Sequence, residues 1–373
     1  MNFELSEDQA LLKAAVERFV ADAYGGDLAA RRAARATPAG FSAGNWARLA
    51  DTGVLALPVS VAHGGLGSGG IETMVVMEAL GRGLVAEPVF EAWIAAMLLE
   101  GAGRGGEVAP LIAGTKLVVL AHAERAARYN LHHVEAIARP SRGGVTISGI
   151  KIAVLAGGAA DMLIVSARES GAADGPGAGF WLVPADAPGV DARAYRLADG
   201  SVAAEISLRD VWVPAAAWLG GAADLLPPVV ARARLAAAAE MLGLMTLLFD
   251  TTLAYVKTRR QFGQPLGAFQ VIQHRMTDAY VLVEQARSQV MRAALADSAG
   301  LARAAAGAKA FVGEAALNVA HTAVQMHGGM GITDELAIGH ALKRIRVLAL
   351  TFGDGGAALD AYRVDDRRAV VGA

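Results

Sequence analysis

The hydrophobic period of this chain changes twice. Up to about residue 115 apolar residues recur at helical spacing, from Leu11, Leu12, Ala15, Val16 and Phe19 through "IETMVVMEALGRGLV" and "FEAWIAAMLLE". Ser6 and Gln9 form a capping-box pattern ahead of the first of these helices, and "AHGGLGSGG" punctuates the run. From about Lys116 the pattern shortens. "KLVVLAHAE", "GVTISGI", "ADMLIVSAR", "GFWLVPAD" and "SVAAEISLRDVWVP" are alternating or β-branched and bounded by Gly, Pro and Asp. In the last of them Val202, Ala204, Ile206 and Leu208 fall on one face. From about Leu225 the pattern is helical again. Helices, a small β-domain and long helices give an α+β class, with expected boundaries 1–115, 116–222 and 223–373. The stretch "RLAAAAEMLGLMTLLF" carries only Glu240 as a charge after its first residue. A helix so apolar is expected to be buried on most sides, in a bundle or at a subunit interface.

Composition narrows the classes of function. At 373 residues two or three structural units are expected. A formal net charge of -2 gives no reason to expect nucleic acid or an anionic membrane as partner. No cysteine is present, which excludes disulfides, thiolate metal sites and a thiol nucleophile. No His and carboxylate pair has metal-ligand spacing, so no metal centre is expected. His122, His274 and His327 read as hydrogen-bonded structural residues. The N-terminal stretch lacks a basic region before an apolar core, and no uninterrupted apolar run reads as long enough to span a bilayer. The expectation is a soluble, cytoplasmic protein.

One glycine-rich stretch stands out: "QMHGGMGITDE", Gln325 to Glu335. Paired glycines let backbone N–H groups approach a phosphate, but no strand precedes this run, so the strand–glycine–helix nucleotide fingerprint does not apply. Taken singly the turn could be a helix C-cap. Together with "LADTGVLALPVSVAHGGLGSGG", "AEISLRDVWVP" and "YVKTRRQFGQPLGAFQVIQHRMTD", however, it resembles the acyl-CoA dehydrogenase flavoprotein family in order and spacing over nearly the whole chain. The resemblance implies a helical N-terminal domain, a central β-domain and a C-terminal four-helix bundle. It implies FAD as cofactor, an acyl-CoA substrate and an electron-transfer flavoprotein as acceptor. Within the family the likeness is greatest to the small subunit of pimeloyl-CoA dehydrogenase, through "LTFGDGGAALDAY" and "AHAERAARY".

In the family a helical bundle clamps the ADP half of an FAD whose flavin ring lies on a neighbouring subunit. The clamp positions here read Arg259, Phe262 and Gly263, then Gln270, then Gln325, Met326, His327, Gly328 and Gly329. Arginine suits a pyrophosphate because its planar fork donates two parallel charge-assisted bonds.

The flavin-side segments depart from the family pattern. Ala123 and Tyr129 stand at a flavin-bonding threonine and a serine; Ala153 and Leu155 stand at a flavin-stacking tryptophan and a second hydroxyl. Glu124 and Lys151 are kept, the lysine readable as the cap of a strand turn. At the usual catalytic glutamate an ungapped reading places Phe352, with Asp354 nearby; at the alternative position stands Ala233. Two candidate bases remain. Asp354 also reads as a turn aspartate, and Glu240 as solvent-facing or as the partner, across a subunit contact, of an arginine such as Arg232 or Arg234. The chain is therefore expected either to complete its site with a larger subunit in a hetero-tetramer, or to act as a homo-tetramer with Asp354 or Glu240 as base.

Overall fold

A computed structural model of the chain describes residues 4–25, 28–175 and 177–371, the last seven as backbone. The first helices are α1 (Glu7–Tyr24), α2 (Ala29–Ala36), α3 (Ala43–Asp51), α4 (Gly70–Arg82), α5 (Val89–Gly101) and α6 (Gly105–Ile112). Strands β1 (Val118–Ala121), β2 (Ile137–Ser141), β3 (Gly144–Leu155), β4 (Met162–Arg168), β5 (Ala178–Pro184), β6 (Val190–Arg196), β7 (Val202–Pro214) and β8 (Trp218–Gly221) follow. Then come α7 (Ala222–Thr258), a hairpin of β9 (Arg260–Gln261) and β10 (Gln264–Pro265), and α8 (Gln270–Ala294). The chain ends in α9 (Leu301–His327), α10 (Ala337–Leu350) and α11 (Gly355–Val371). Helices, sheet, helices is the order the two changes of period imply. The capping box at α1 forms: the Gln9 N–H reaches Ser6 Oγ at 3.2 Å, and the Ser6 N–H donates to Gln9 Oε1 at 3.0 Å.

Compactness divides the chain into two units. One takes residues up to Arg32, Gly69–Val85 and Ala231 onward; the other takes 33–68 and 86–230, and so holds the sheet.

In the sheet unit the strand order is β6-β7-β3-β2-β4-β5-β8, with β1 parallel against β4. Ile147, Leu163, Val165, Phe180 and Val183 are fully buried in it. The alternation read along β7 holds from Val202 to Leu208, then changes phase, because the next buried residues are Val211 and Val213. The cause is a β-bulge. Ile147 pairs with Val211 but Gly149 with Leu208, leaving an extra residue on β7, and Asp210 takes φ 50° there. A hydrogen bond from Ser148 Oγ to Asp210 Oδ1 (2.8 Å) holds it. A second irregularity lies on β3 between Lys151 and Val154, where Ala153 takes φ 50°.

In the helical unit α4 and α7 cross at two glycines. A Cβ on Gly81 would lie 2.2 Å from the Glu240 carbonyl oxygen, and one on Gly243 2.0 Å from that of Glu78. Only glycine lets the two backbones come this near. The sequence reading that no run could span a bilayer needs correction. By length and composition α7 contains such a stretch, but 72% of it is buried against protein, as in a core helix.

Candidate functional site

The expected nucleotide clamp lies on two segments of the helical unit. Beyond α7 the β9–β10 hairpin turns at Phe262 and Gly263, with φ 52° and 83°. A two-residue hairpin turn with both central residues at positive φ suits Gly263; for a bulky Phe262 the conformation is a strained one. Phe262 is nonetheless 89% exposed, its ring meeting Phe269 edge to face at 6.2 Å. The adjacent arginines divide their work. Arg260 Nη2 donates to the Gly263 carbonyl at 3.0 Å and braces the hairpin, whereas the exposed guanidinium of Arg259 forms no ion pair among the described residues. Gln270 opens α8 with its side chain exposed.

The second segment closes α9. Gly328 caps it with φ 61° and ψ −142°, a conformation open to glycine and hardly to any other residue, and its N–H bonds the Val324 carbonyl. A Cβ added at Gly328 or Gly329 would meet nothing within 4 Å, so the backbone of the turn stands open on that side. The exit is clasped at Asp334. Its carbonyl accepts from Arg32 Nη1 (3.3 Å), His340 Nε2 lies 3.1 Å from the same oxygen, and its carboxylate accepts from Lys343 Nζ (3.0 Å).

Packing brings the roots of both segments together. The His327 ring stacks on Tyr255 at 4.2 Å, and Met326 is buried with Val256 and Met276. Within the predicted cofactor set this separates two classes: Gln325, Gly328 and Gly329 face outward, while Met326 and His327 face the core and anchor the turn. His327 Nδ1 also lies 2.9 Å from the Ala323 carbonyl, the structural role its sequence context suggested. His122 is likewise structural, between Ser166 Oγ and the Leu131 carbonyl at 2.9 Å each.

The flavin-side segments meet in the sheet unit, where the Ile152 N–H donates to the Ala123 carbonyl at 2.8 Å. At the threonine and tryptophan positions they present the exposed aliphatic side chains of Ala123 and Ala153, while Tyr129, at the serine position, is also exposed. Leaving buried polar atoms of a flavin ring unpaired costs about 1–3 kcal/mol each, and the side chains of Ala123 and Ala153 offer them no partner. Lys151 is not the strand-turn cap its position suggested. It is fully buried, with Nζ 2.5 Å from Glu124 Oε1 and 2.8 Å from Ser166 Oγ. Burial works against the Glu124 charge, but Lys151 and the N–H groups of Glu135 and Ala136 outweigh it and hold the carboxyl below its ordinary value. Burial lowers Lys151 to about 8, so the pair is ionic at neutral pH. Burial, reinforced by Lys151, lowers His122 to about 4, which keeps its ring neutral.

Both candidate bases are engaged. Glu240 is not solvent-facing: Arg344 of α10 binds it two-pronged, at 2.6 Å (Nε) and 3.0 Å (Nη2). Asp354 caps α11 through the Ala357 N–H at 2.9 Å. Its loop is pinned by cations: Arg234 Nε donates to the Phe352 carbonyl (3.2 Å), and buried Lys309 donates to those of Ala349 and Gly353 (2.8 Å each). Burial and the neighbouring Arg234 lower Lys309 to about 8.

Comparison with known proteins agrees with this arrangement. Residues 6–103 match the acyl-CoA dehydrogenase N-terminal domain and residues 228–360 the acyl-CoA dehydrogenase C-terminal domain. The acyl-CoA dehydrogenase IpdE2 of Mycolicibacterium smegmatis is 30% identical, over 94% of this chain and 96% of that protein. Among solved structures, the steroid ACAD Tcur3481-Tcur3483 is similar at 27% identity and a TM-score of 0.86, covering 98% of this chain and 99% of that one. The ChsE4-ChsE5 complex of Mycobacterium tuberculosis is similar at 25% identity and a TM-score of 0.86, covering 99% of each chain. The chain belongs to the acyl-CoA dehydrogenase family of FAD-dependent oxidoreductases.

Proposed function

We propose that this chain is the small subunit of a heteromeric, cytoplasmic acyl-CoA dehydrogenase and donates the ADP-binding half of an FAD site to a larger partner. One asymmetry carries the reading. Arg259, Gln270, Gln325 and the Gly328–Gly329 backbone are exposed on anchored segments, while the flavin-side surface offers Ala123 and Ala153 and commits Glu124 and Lys151 to each other. Arg259 would hold the pyrophosphate through its fork, and Gly328 and Gly329 would allow main-chain N–H groups to reach the nucleotide. FAD, when bound, supplies the acceptor for the hydride from the acyl β-carbon, with an electron-transfer flavoprotein as onward acceptor. The engagement of Glu240 by Arg344 and of Asp354 by its helix N-terminus supports placing the base on the partner. That two similar structures carry paired names, Tcur3481-Tcur3483 and ChsE4-ChsE5, supports a heteromeric assembly.

The test is a visible spectrum of the chain purified alone and with a co-purified larger acyl-CoA dehydrogenase subunit. Flavin absorbance in the complex alone, at about one FAD per pair of unlike chains, is the expected result. A yellow chain by itself, bleached by an acyl-CoA, would overturn the proposal in favour of a homo-tetramer using Asp354 or Glu240.

A further inference from the structure

The segment from Glu124 to Glu135 carries donor groups that the nucleotide site does not use. Sequence spacing offered no metal set here, but the fold brings three donor groups together. One carboxylate oxygen each of Glu124 and Glu135 and one ring nitrogen of His133 lie within 4.8 Å of one another. These positions stand nine and then two apart in the chain, a spacing no regular element repeats. The chain path between β1 and β2 brings them together.

The surroundings of His133 resemble those of a ligating histidine. Its Nδ1 lies 2.7 Å from Asp174 Oδ1, and Asn130 Nδ2 donates to that same oxygen at 3.0 Å. A carboxylate on one ring nitrogen fixes the tautomer and turns the lone pair of the other outward to a cation. That other nitrogen, Nε2, is buried and has no hydrogen-bond partner among the described residues. The nearest Glu135 oxygen is 3.6 Å away, beyond hydrogen-bond reach. A buried ring nitrogen without a partner among the described residues calls for an explanation, and a bound ion is one of the standard ones.

Lys151 is the obvious objection, since its ammonium sits on Glu124. The charges still leave room for a cation. Lys151 offsets Glu124, while Glu135 and Asp174 add two negative charges around a neutral imidazole, the balance a divalent ion restores. Capacity remains too: Glu124 Oε1 already accepts from Lys151 and from the Ala136 N–H, but Oε2 accepts only from the Glu135 N–H. We propose that Glu124, His133 and Glu135 form a divalent-cation site, with Asp174 as the outer carboxylate that orients His133. One imidazole and two carboxylates, completed by water, suit zinc(II) among the common ions. Bound there, the ion would tie the loop after β1 to the loop that carries Asp174. The rival occupant is a proton, which would make His133 an imidazolium between Asp174 and Glu135.

The test uses the full-length chain, dialysed against chelator and titrated with cobalt(II) as a visible probe, then with zinc(II) as competitor. One saturable equivalent per chain with d–d absorption, bleached by zinc, is expected. Glu135→Gln and His133→Asn should each weaken it by about tenfold or more. His321→Asn, on an exposed position of α9, serves as control and should leave it unchanged. Glu135 has a mostly exposed side chain, so its variant tests the site even if His133→Asn fails to fold. Glu124 is left intact, because removing it would break the buried pair with Lys151. No saturable equivalent, or one that survives Glu135→Gln unaltered, would overturn the proposal and leave the proton as occupant.

Discussion

Replacing Glu240 with glutamine separates two roles that one carboxylate could have. In the structure both oxygens of Glu240 face the Arg344 fork, and the two side chains are only 7% and 11% exposed. Removing one partner of a buried ion pair strands the other charge, at a cost of about 3–5 kcal/mol. Glutamine still offers one acceptor oxygen, which argues for the lower end, about 3 kcal/mol. Unfolding entropy scales with length, at about 2.1 cal/mol/K per residue, so for 373 residues that loss lowers the melting temperature by about 4 °C. The assay is urea unfolding and thermal melting of Glu240→Gln, Glu240→Leu, Arg344→Met and the double variant Glu240→Leu/Arg344→Met. Each single variant should lose stability and the double variant should recover most of it, a coupling of about 2 kcal/mol or more. A Glu240→Gln variant that melts like the wild type, while abolishing turnover of the assembled enzyme, would refute the reasoning and make Glu240 the base.

Three further substitutions test particular features. Gly328→Ala should weaken FAD retention by the assembled enzyme much more than Gly329→Ala. Neither Cβ meets a neighbour, but only Gly328 of the two has positive φ, a strain of about 1–3 kcal/mol for alanine; equal effects would count against a conformational cause. Gly243→Ala should destabilise the chain by about 1–3 kcal/mol in urea unfolding, because its Cβ would lie 2.0 Å from the Glu78 carbonyl oxygen and force α4 and α7 apart. Lys309, lowered to about 8 by burial, binds its proton more weakly in the folded chain than the ordinary lysine near 10.4 does unfolded. Stability of the wild type relative to Lys309→Met should therefore rise between about pH 8 and pH 10, by up to about 3 kcal/mol. Parallel pH profiles would rule out this linkage.

Local signals carried much of the fold. The changes of period marked the sheet, and the Ser6–Gln9 pair marked the start of α1, because both depend on neighbours in sequence. The bulge at Asp210 was not read: adjacent Arg209 and Asp210 interrupt the alternation of "SLRDVWV", but only pairing with β3 reveals the extra residue. The helical pattern was read from about Leu225, whereas α7 starts at Ala222 and runs through Pro227 and Pro228. Partners distant in sequence were hidden altogether. Glu240 was read as facing solvent or an arginine across a subunit contact, whereas within the chain helix packing supplies Arg344, 104 positions away. Glu124, His133 and Glu135 were invisible as a set for the same reason. The clamp residues were legible through the family pattern, but which of them face solvent was decided by the Tyr255–His327 stack and the burial of Met326.

The Phe262 ring has a consequence for handling the protein. A phenylalanine exposed to water at a hairpin tip forgoes the roughly 1.5–3 kcal/mol that covering it would release. A free chain therefore holds a standing incentive to stick to the first apolar surface it meets, including a second copy of itself. Its tendency to self-associate should rise with concentration and fall when the tip is covered. Solubility of this chain is then a measure of how much of it has found its place.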